Sequence, residues 1–219
     1  MRLVPAALAS EGGAAARVSA AVLAAPPVMA ALVAAREVDP PDWLLAAGAV
    51  RDAVWEALHG RAPTAMPRDV DLAYFDAHDL TSARDEAVER ELRELAPELP
   101  WQARNQAAVH LWYPGRFGLE VEPFASTAEA IATFPEVATC VGVRLLADDD
   151  MLVVAPHGLD DLLACVCRHN PTRAPASVFE RRLAEKGWRE RWPRMRYVPT
   201  ASDQRANRAD AQRKGCVFS

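Results

Sequence analysis

The chain has one isoleucine (Ile131), two lysines (Lys186 and Lys214) and four cysteines in 219 residues. Alanine and arginine take the places of the missing types, a compositional bias that carries no functional signal. Four unevenly spread cysteines (Cys140, Cys165, Cys167, Cys216) exclude a disulfide scaffold and point to a reducing cytoplasm. If the segment holding Cys165, Cys167 and His169 is helical, residues two apart point to nearly opposite sides and cannot share a metal ion. Glycine (10) and proline (17) are too few for a collagenous or low-complexity chain. An excess of positive charge is also absent. The net charge of -5 and pI near 5.6 exclude a nucleic-acid binder that works by bulk electrostatics, and leave only local cationic faces.

A clean membrane span is missing as well. Val18 to Ala35 carries no charge, but Pro26-Pro27 interrupts it, so the run divides into two short amphipathic helices and no membrane is expected. The N-terminus is a poor secretory signal, with Arg2 ahead of a brief apolar stretch broken at Ser10-Glu11-Gly12-Gly13. Cys216-Val217-Phe218-Ser219 matches the prenylation pattern. In a bacterial chain that match means nothing; in a eukaryotic one it implies an anchor.

What is present is 51% hydrophobic and 25% charged, the balance of a soluble globular protein. We expect one domain over residues 17–198, between a flexible N-terminus (1–16) and a disordered tail (199–219). Asp39-Pro40-Pro41-Asp42 ends the N-terminal helices, and Trp43 to Ala47 is an apolar run that predicts a buried strand. Gly48 breaks that strand. Val50, Val54 and Leu58 then recur at helical spacing up to His59-Gly60.

Asp69 to Phe75 alternates acidic and apolar residues with period two, which puts Asp69 and Asp71 on one strand face. A helix is expected from Asp79 to Leu95 and a third strand at Trp101 to Arg104, while Asn105 to Trp112 is ambiguous. Val141–Leu146 and Met151–Val154 flank Asp148-Asp149-Asp150 as a hairpin with a solvated acidic turn. Gly158-Leu159 leads into a helix with Asp160 and Asp161 in its first turn, and a last helix spans about Ser177 to Trp188.

Two carboxylates one residue apart on a strand project side by side and can share a divalent cation that also grips phosphate oxygens. A glycine turn ahead of a helix N-terminus lets backbone amides approach a phosphate. Taken singly, Gly48 is a tight turn, Arg51 a solvated helix residue, and Asp69 and Asp71 a polar edge. Their order, strand, Gly48, helix, loop, Asp69-x-Asp71, carries more than the parts.

In that order the chain resembles the nucleotidyltransferase superfamily of DNA polymerase beta-like fold. Within it, the chain is similar to a bacterial nucleotidyltransferase-like family known mainly from sequence. The matching stretches are AAGAVRDAVWEALHGR, DVDLAYFD, NQAAVHLWY, ATCVGVRL, GLDDLL and KGWRERWPR, running from about Leu32 to Arg196. The resemblance implies an α/β (α+β) fold, a mixed sheet with flanking helices and helical additions at both ends. It also implies Mg²⁺ (or Mn²⁺) held by Asp69 and Asp71, Gly48 as the turn glycine and Arg51 as the residue that meets phosphate. The implied reaction is transfer of a nucleoside monophosphate from a nucleoside triphosphate to an acceptor hydroxyl on a small molecule, RNA or protein.

Two departures stand out. Gly48 is followed by Ala49 where the superfamily has Gly-Gly or Gly-Ser. The third strand carries Gln102, Arg104 and Asn105 where a third carboxylate would stand, and Glu120 and Glu122 come too late. Deprotonation of the acceptor then falls to substrate, water or His110, an imidazole being suited to that task. Asn105 and Gln106 are candidates for nucleotide contact, and these two and His110 equally fit core polar or capping roles. A silent nucleotide- or RNA-binding module, or a toxin/antitoxin-type interaction protein, are the alternatives.

From Arg181 to Arg196, seven basic residues stand against Glu185 and Glu190, a net of +5 that leaves -10 for the rest. Trp188 and Trp192 are interleaved. Base stacking is one reading. The preferred one is an amphipathic C-terminal helix whose tryptophans pack on the core while its arginines face water.

Overall fold

The computed structural model describes residues 12–200. The apolar run after the Pro40-Pro41 turn forms β1 (Leu44–Ala46), a three-residue strand buried throughout. It lies at the centre of a five-stranded mixed sheet in the order β3-β2-β1-β4-β5. β2 (Val70–Tyr74) and β4 (Gly142–Leu145) both run antiparallel to β1, β3 (Trp101–Asn105) runs parallel to β2, and β5 (Met151–Val154) closes the hairpin with β4. The acidic turn between β4 and β5 is where the sequence pattern puts it, with Asp149 at φ 64.

Four helices cover one face of this sheet: α1 (Gly12–Leu23), α2 (Pro26–Val38), α3 (Gly48–Leu58) and α4 (Ser82–Leu95). Their apolar stripes meet Leu45, Leu72 and Val143 in the main core, where Val22, Leu32, Val50, Trp43 and Trp55 are sealed from solvent. Each such large side chain contributes roughly 2–3 kcal/mol on burial. No single described helix is long and apolar enough to cross a membrane, and α1 and α2 meet at 97°. β3 is an edge strand, and α4 covers its open side: Asp85 Oδ1 accepts from Asn105 N–H at 2.8 Å and Glu89 Oε1 from Ala103 N–H at 3.0 Å. Pairing those amides blunts the edge against further strand addition.

The other face carries Leu44, Ala46, Ala73 and Gly142, a set of mostly small residues. A Cβ on Gly142 would sit 2.9 Å from the Leu44 Cβ, so only glycine lets β4 lie here. Ile131 of the short helix α6 (Thr127–Ile131), which follows α5 (Val109–Phe117) in the chain, packs on this patch. The rest of this face, toward Asp71, stays open.

Several boundaries differ from expectation. α1 begins at Gly12, inside the stretch expected to be flexible, because Ala14 and Ala15 pack on the core. The expected helix Ser177–Trp188 is two helices, α8 (Ala176–Glu185) and α9 (Trp188–Arg191), after the one-turn α7 (Asp160–Leu163). Gly187, at φ 60, makes the break, a conformation that glycine adopts without strain. Cys167 lies on a strand, β6 (Val166–Arg168), which pairs in parallel with β7 (Arg196–Val198), so the helical argument against a metal there does not apply. Cys165 and Cys167 are buried free thiols, and burial raises both, Cys167 to about 12, while among the described residues no group of three or more His, Cys, Asp or Glu is placed to hold a metal ion. At the start of the expected tail Thr200 is buried and its hydroxyl donates to Glu180 Oε1 at 2.6 Å. Residues 1–11 and 201–219, with the prenylation-like Cys216, lie outside the described residues.

Candidate active site

At the open part of the sheet face lies a cleft of about 220 Å³. It is lined by the β1–α3 turn (Ala47, Gly48), by Asp69 just before β2 and Asp71 within it, and by Arg51. Also in the lining are Glu136 and Thr139 from the loop after α6, Arg182 and Lys186 from the end of α8, and Trp188. Ordinary turn chemistry builds the β1–α3 connection. Ala47, at φ 57 and ψ -123, reverses the chain so that α3 starts at Gly48, and no acidic residue in its first turn competes for the free amides there. The strained turn residue is thus Ala47, one position before the glycine that the sequence pattern marks as the turn. Gly48 instead provides clearance, since a Cβ there would stand 3.3 Å from Asp69 Oδ1.

Asp71 pairs in register with Ala46 of β1, which turns its carboxylate to the cleft side, and Asp69 lies two residues before it. Burial pushes the Asp71 carboxyl up to about 6, and the Asp69 charge adds to that, against the smaller pull of Arg182, Lys186 and Arg104. Two oxygen-donor carboxylates that repel each other fit a hard divalent cation, with phosphate oxygens and water completing its shell. Among the described residues no cluster of three or more His, Cys, Asp or Glu offers a fuller cage.

Arg51 is buried at 7% exposure, with its guanidinium 4.7 Å from the Trp188 ring centroid and 5.3 Å from that of Trp55. Its Nε and Nη2 both donate to Asp52 Oδ1, while Asp52 Oδ2 takes Arg191 at 2.7 Å. Stacking and ion pairing together clasp α9 to α3 and hold Arg51 at the edge of the cleft.

The family model described as "Nucleotidyltransferase" matches residues 33–197. The chain belongs to this nucleotidyltransferase family. A solved NMR structure, described as revealing a CCA-adding enzyme head domain, is similar at 29% identity with a TM-score of 0.70. The match covers 84% of this chain and 95% of that one, and its fold is the mixed α/β architecture described above. No curated protein matches.

The structure of this family member brings Gly48, Arg51, Asp69 and Asp71 together and leaves three other sequence candidates outside the cleft lining. Asn105 is a staple. Its Oδ1 accepts from the N–H groups of Asp76 and Ala107, and its Nδ2 donates to the carbonyls of Asp76 and Asp79, all within 3.1 Å. Every bond a side-chain amide prefers is taken. Gln106 is buried and donates to Arg104 O at 3.0 Å. His110 sits in the first turn of α5 with its Nδ1 buried and unpartnered.

The third-strand departure persists in three dimensions: Gln102 stands beside Asp71 and Arg104 beside Ala73. A cleft carboxylate does come from elsewhere. Glu136, 2% exposed, accepts from Arg182 Nε at 2.8 Å and from Thr139 Oγ1 at 3.2 Å. Sequence reasoning missed Glu136, Arg182 and Lys186. For the two cations the signals were the +5 charge of the Arg181–Arg196 segment and, within it, the four-residue spacing of Arg182 and Lys186, which places both on one helix face. Trp188 and Trp192 are buried, as the preferred reading of the basic segment has it, and Trp192 meets Trp55 edge-on at 5.7 Å.

Proposed function

We propose that the protein transfers a nucleoside monophosphate from a nucleoside triphosphate to an acceptor hydroxyl, with Mg²⁺ or Mn²⁺ held by Asp69 and Asp71. The observation that carries this reading is the pair of carboxylates on one sheet face, at the foot of the α3 N-terminus and in one cleft with Arg51. When bound, the cation supplies charge neutralisation at the α-phosphate. The α3 amides and the Arg51 guanidinium meet phosphate oxygens, and the Ala47–Gly48 turn sets how close they come. The acceptor oxygen bonds to the α-phosphorus, the α–β bridging bond breaks, pyrophosphate leaves and the hydroxyl proton is released. Positioning and electrostatics carry the rate.

Small-molecule, RNA and protein hydroxyls are the acceptor classes to examine, in a reducing cytoplasm. The test is incubation with each of the four nucleoside triphosphates and Mg²⁺ or Mn²⁺, read by mass spectrometry for self-modification and for modified acceptors. Pyrophosphate release that disappears in Asp69→Asn and Asp71→Asn supports transfer. A second reading, a nucleotide-binding module without turnover, draws on Gln102 standing beside Asp71 where a third carboxylate would help activate the acceptor. Nucleotide binding with no product under any condition selects it.

A further inference from the structure

Resting on the nucleotide-site reading above, we propose that Arg182 and Lys186 are a polyphosphate clamp that grips the β- and γ-phosphates, and that Glu136 positions Arg182 within it. Arg51, the third cation of the cleft, already gives two of its nitrogens to Asp52.

Arg182 lies in the last turn of α8 and Lys186 caps that helix one turn later, so both side chains leave the same helix face. Both line the same cleft as Asp69 and Asp71. Glu136 holds Arg182 by Nε alone, at 2.8 Å, and is itself buried and braced by the Thr139 hydroxyl. The two terminal nitrogens of Arg182 have no hydrogen-bond partner among the described residues, and neither has the Lys186 ammonium. A guanidinium anchored at Nε presents its terminal N–H groups as a preorganised fork for phosphate, and a lysine beside it adds a mobile point charge. In such a cleft the α-phosphate would lie at the α3 amides and at the cation that Asp69 and Asp71 would hold, with the departing pyrophosphate at the end of α8. When the α–β bond breaks, the electron pair stays on the pyrophosphate oxygen, and the two α8 cations neutralise it.

Calorimetry on the full chain, with inorganic tripolyphosphate and a nucleoside monophosphate as probes in Mg²⁺, tests the clamp. Lys186→Gln and Arg182→Gln should each weaken tripolyphosphate binding at least about tenfold and leave the monophosphate affinity within about twofold. Glu136→Ala should weaken tripolyphosphate binding as Arg182→Gln does, and Glu136→Gln, whose amide oxygen still accepts from Nε, should restore it. Arg182→Gln strands the buried Glu136 charge, so Lys186→Gln, which breaks no contact, carries the test if that variant melts. Parent affinity in Lys186→Gln, or no tripolyphosphate binding by the parent chain, overturns the clamp and leaves these residues as helix-end cations. A parent that binds tripolyphosphate through Lys186 yet transfers no nucleotide keeps the clamp and removes the transfer reaction.

Discussion

Gly48 faces Asp69 so closely that a Cβ on the glycine would lie 3.3 Å from the aspartate Oδ1. The glycine is therefore part of the carboxylate site, since its bareness sets where Asp69 rests. Gly48 opens α3 without a positive φ, so its backbone suits alanine and Gly48→Ala should fold as well as the parent. It should weaken Mg²⁺-dependent nucleotide binding about three- to tenfold through a displaced Asp69. Calorimetric titration of the metal and nucleotide decides this, and unchanged affinity would show that Asp69 shifts at no cost.

Ala47 holds a backbone conformation that glycine adopts freely and alanine does not, at φ 57 and ψ -123. Ala47→Gly relieves strain worth about 1–3 kcal/mol and gives back part of it to the unfolded chain, for a net gain of about 1 kcal/mol in urea denaturation. Destabilisation by this substitution would mean the Ala47 methyl packs more favourably than the turn is strained.

Asp71 titrates near 6 in the fold against 3.8 in an unstructured chain. The sign follows. The folded state takes up the proton more readily than the unfolded one, so the metal-free protein loses stability as pH rises from about 4 through about 6. Asp71→Asn should remove that loss and raise stability at pH 8 by about 1–2 kcal/mol. Cation affinity runs the other way: it should fall as pH drops through about 6, where Asp71 becomes protonated. Parallel melting curves and Mn²⁺ titrations at pH 5 and pH 8 check both signs.

Asn105→Ala should cost about 2–4 kcal/mol, because it strands the amides of Asp76 and Ala107 and two carbonyls. Nucleotide affinity in the surviving folded fraction should match the parent. An affinity loss at unchanged stability would return Asn105 to the binding site.

Trp192→Ala should cost about 3–5 kcal/mol, the range for emptying a large aromatic from a core. Trp192 is fully buried, edge-on to Trp55 and close to His59. Chemical denaturation measures it, and a loss below about 1 kcal/mol would show that the C-terminal segment is only loosely held.

Alternation in Asp69 to Phe75 and helical spacing from Val50 to Leu58 determined the strand, the helix and the Asp69-x-Asp71 pair, because period and turn residues act over a few neighbouring positions. The β4–β5 hairpin was readable for the same reason. What brings Glu136, Arg182, Lys186 and Trp188 to that pair is contact between segments far apart in sequence. It depends on Arg51 stacking on Trp188 and on Arg182 reaching Glu136, 46 positions away. Local pattern carries no record of such pairings, so a run of arginines with two tryptophans looked the same whether it faced solvent or closed a cleft. That Trp188 and Trp192 go inward was the preferred sequence reading; only the tertiary structure decided what they meet, Arg51 over Trp188 and Trp55 edge-on to Trp192, with Gly187 making the break between α8 and α9. The same holds for Asn105, whose type suits a ligand contact and a loop staple equally, until the backbone groups of Asp76, Ala107 and Asp79 take all of its hydrogen bonds.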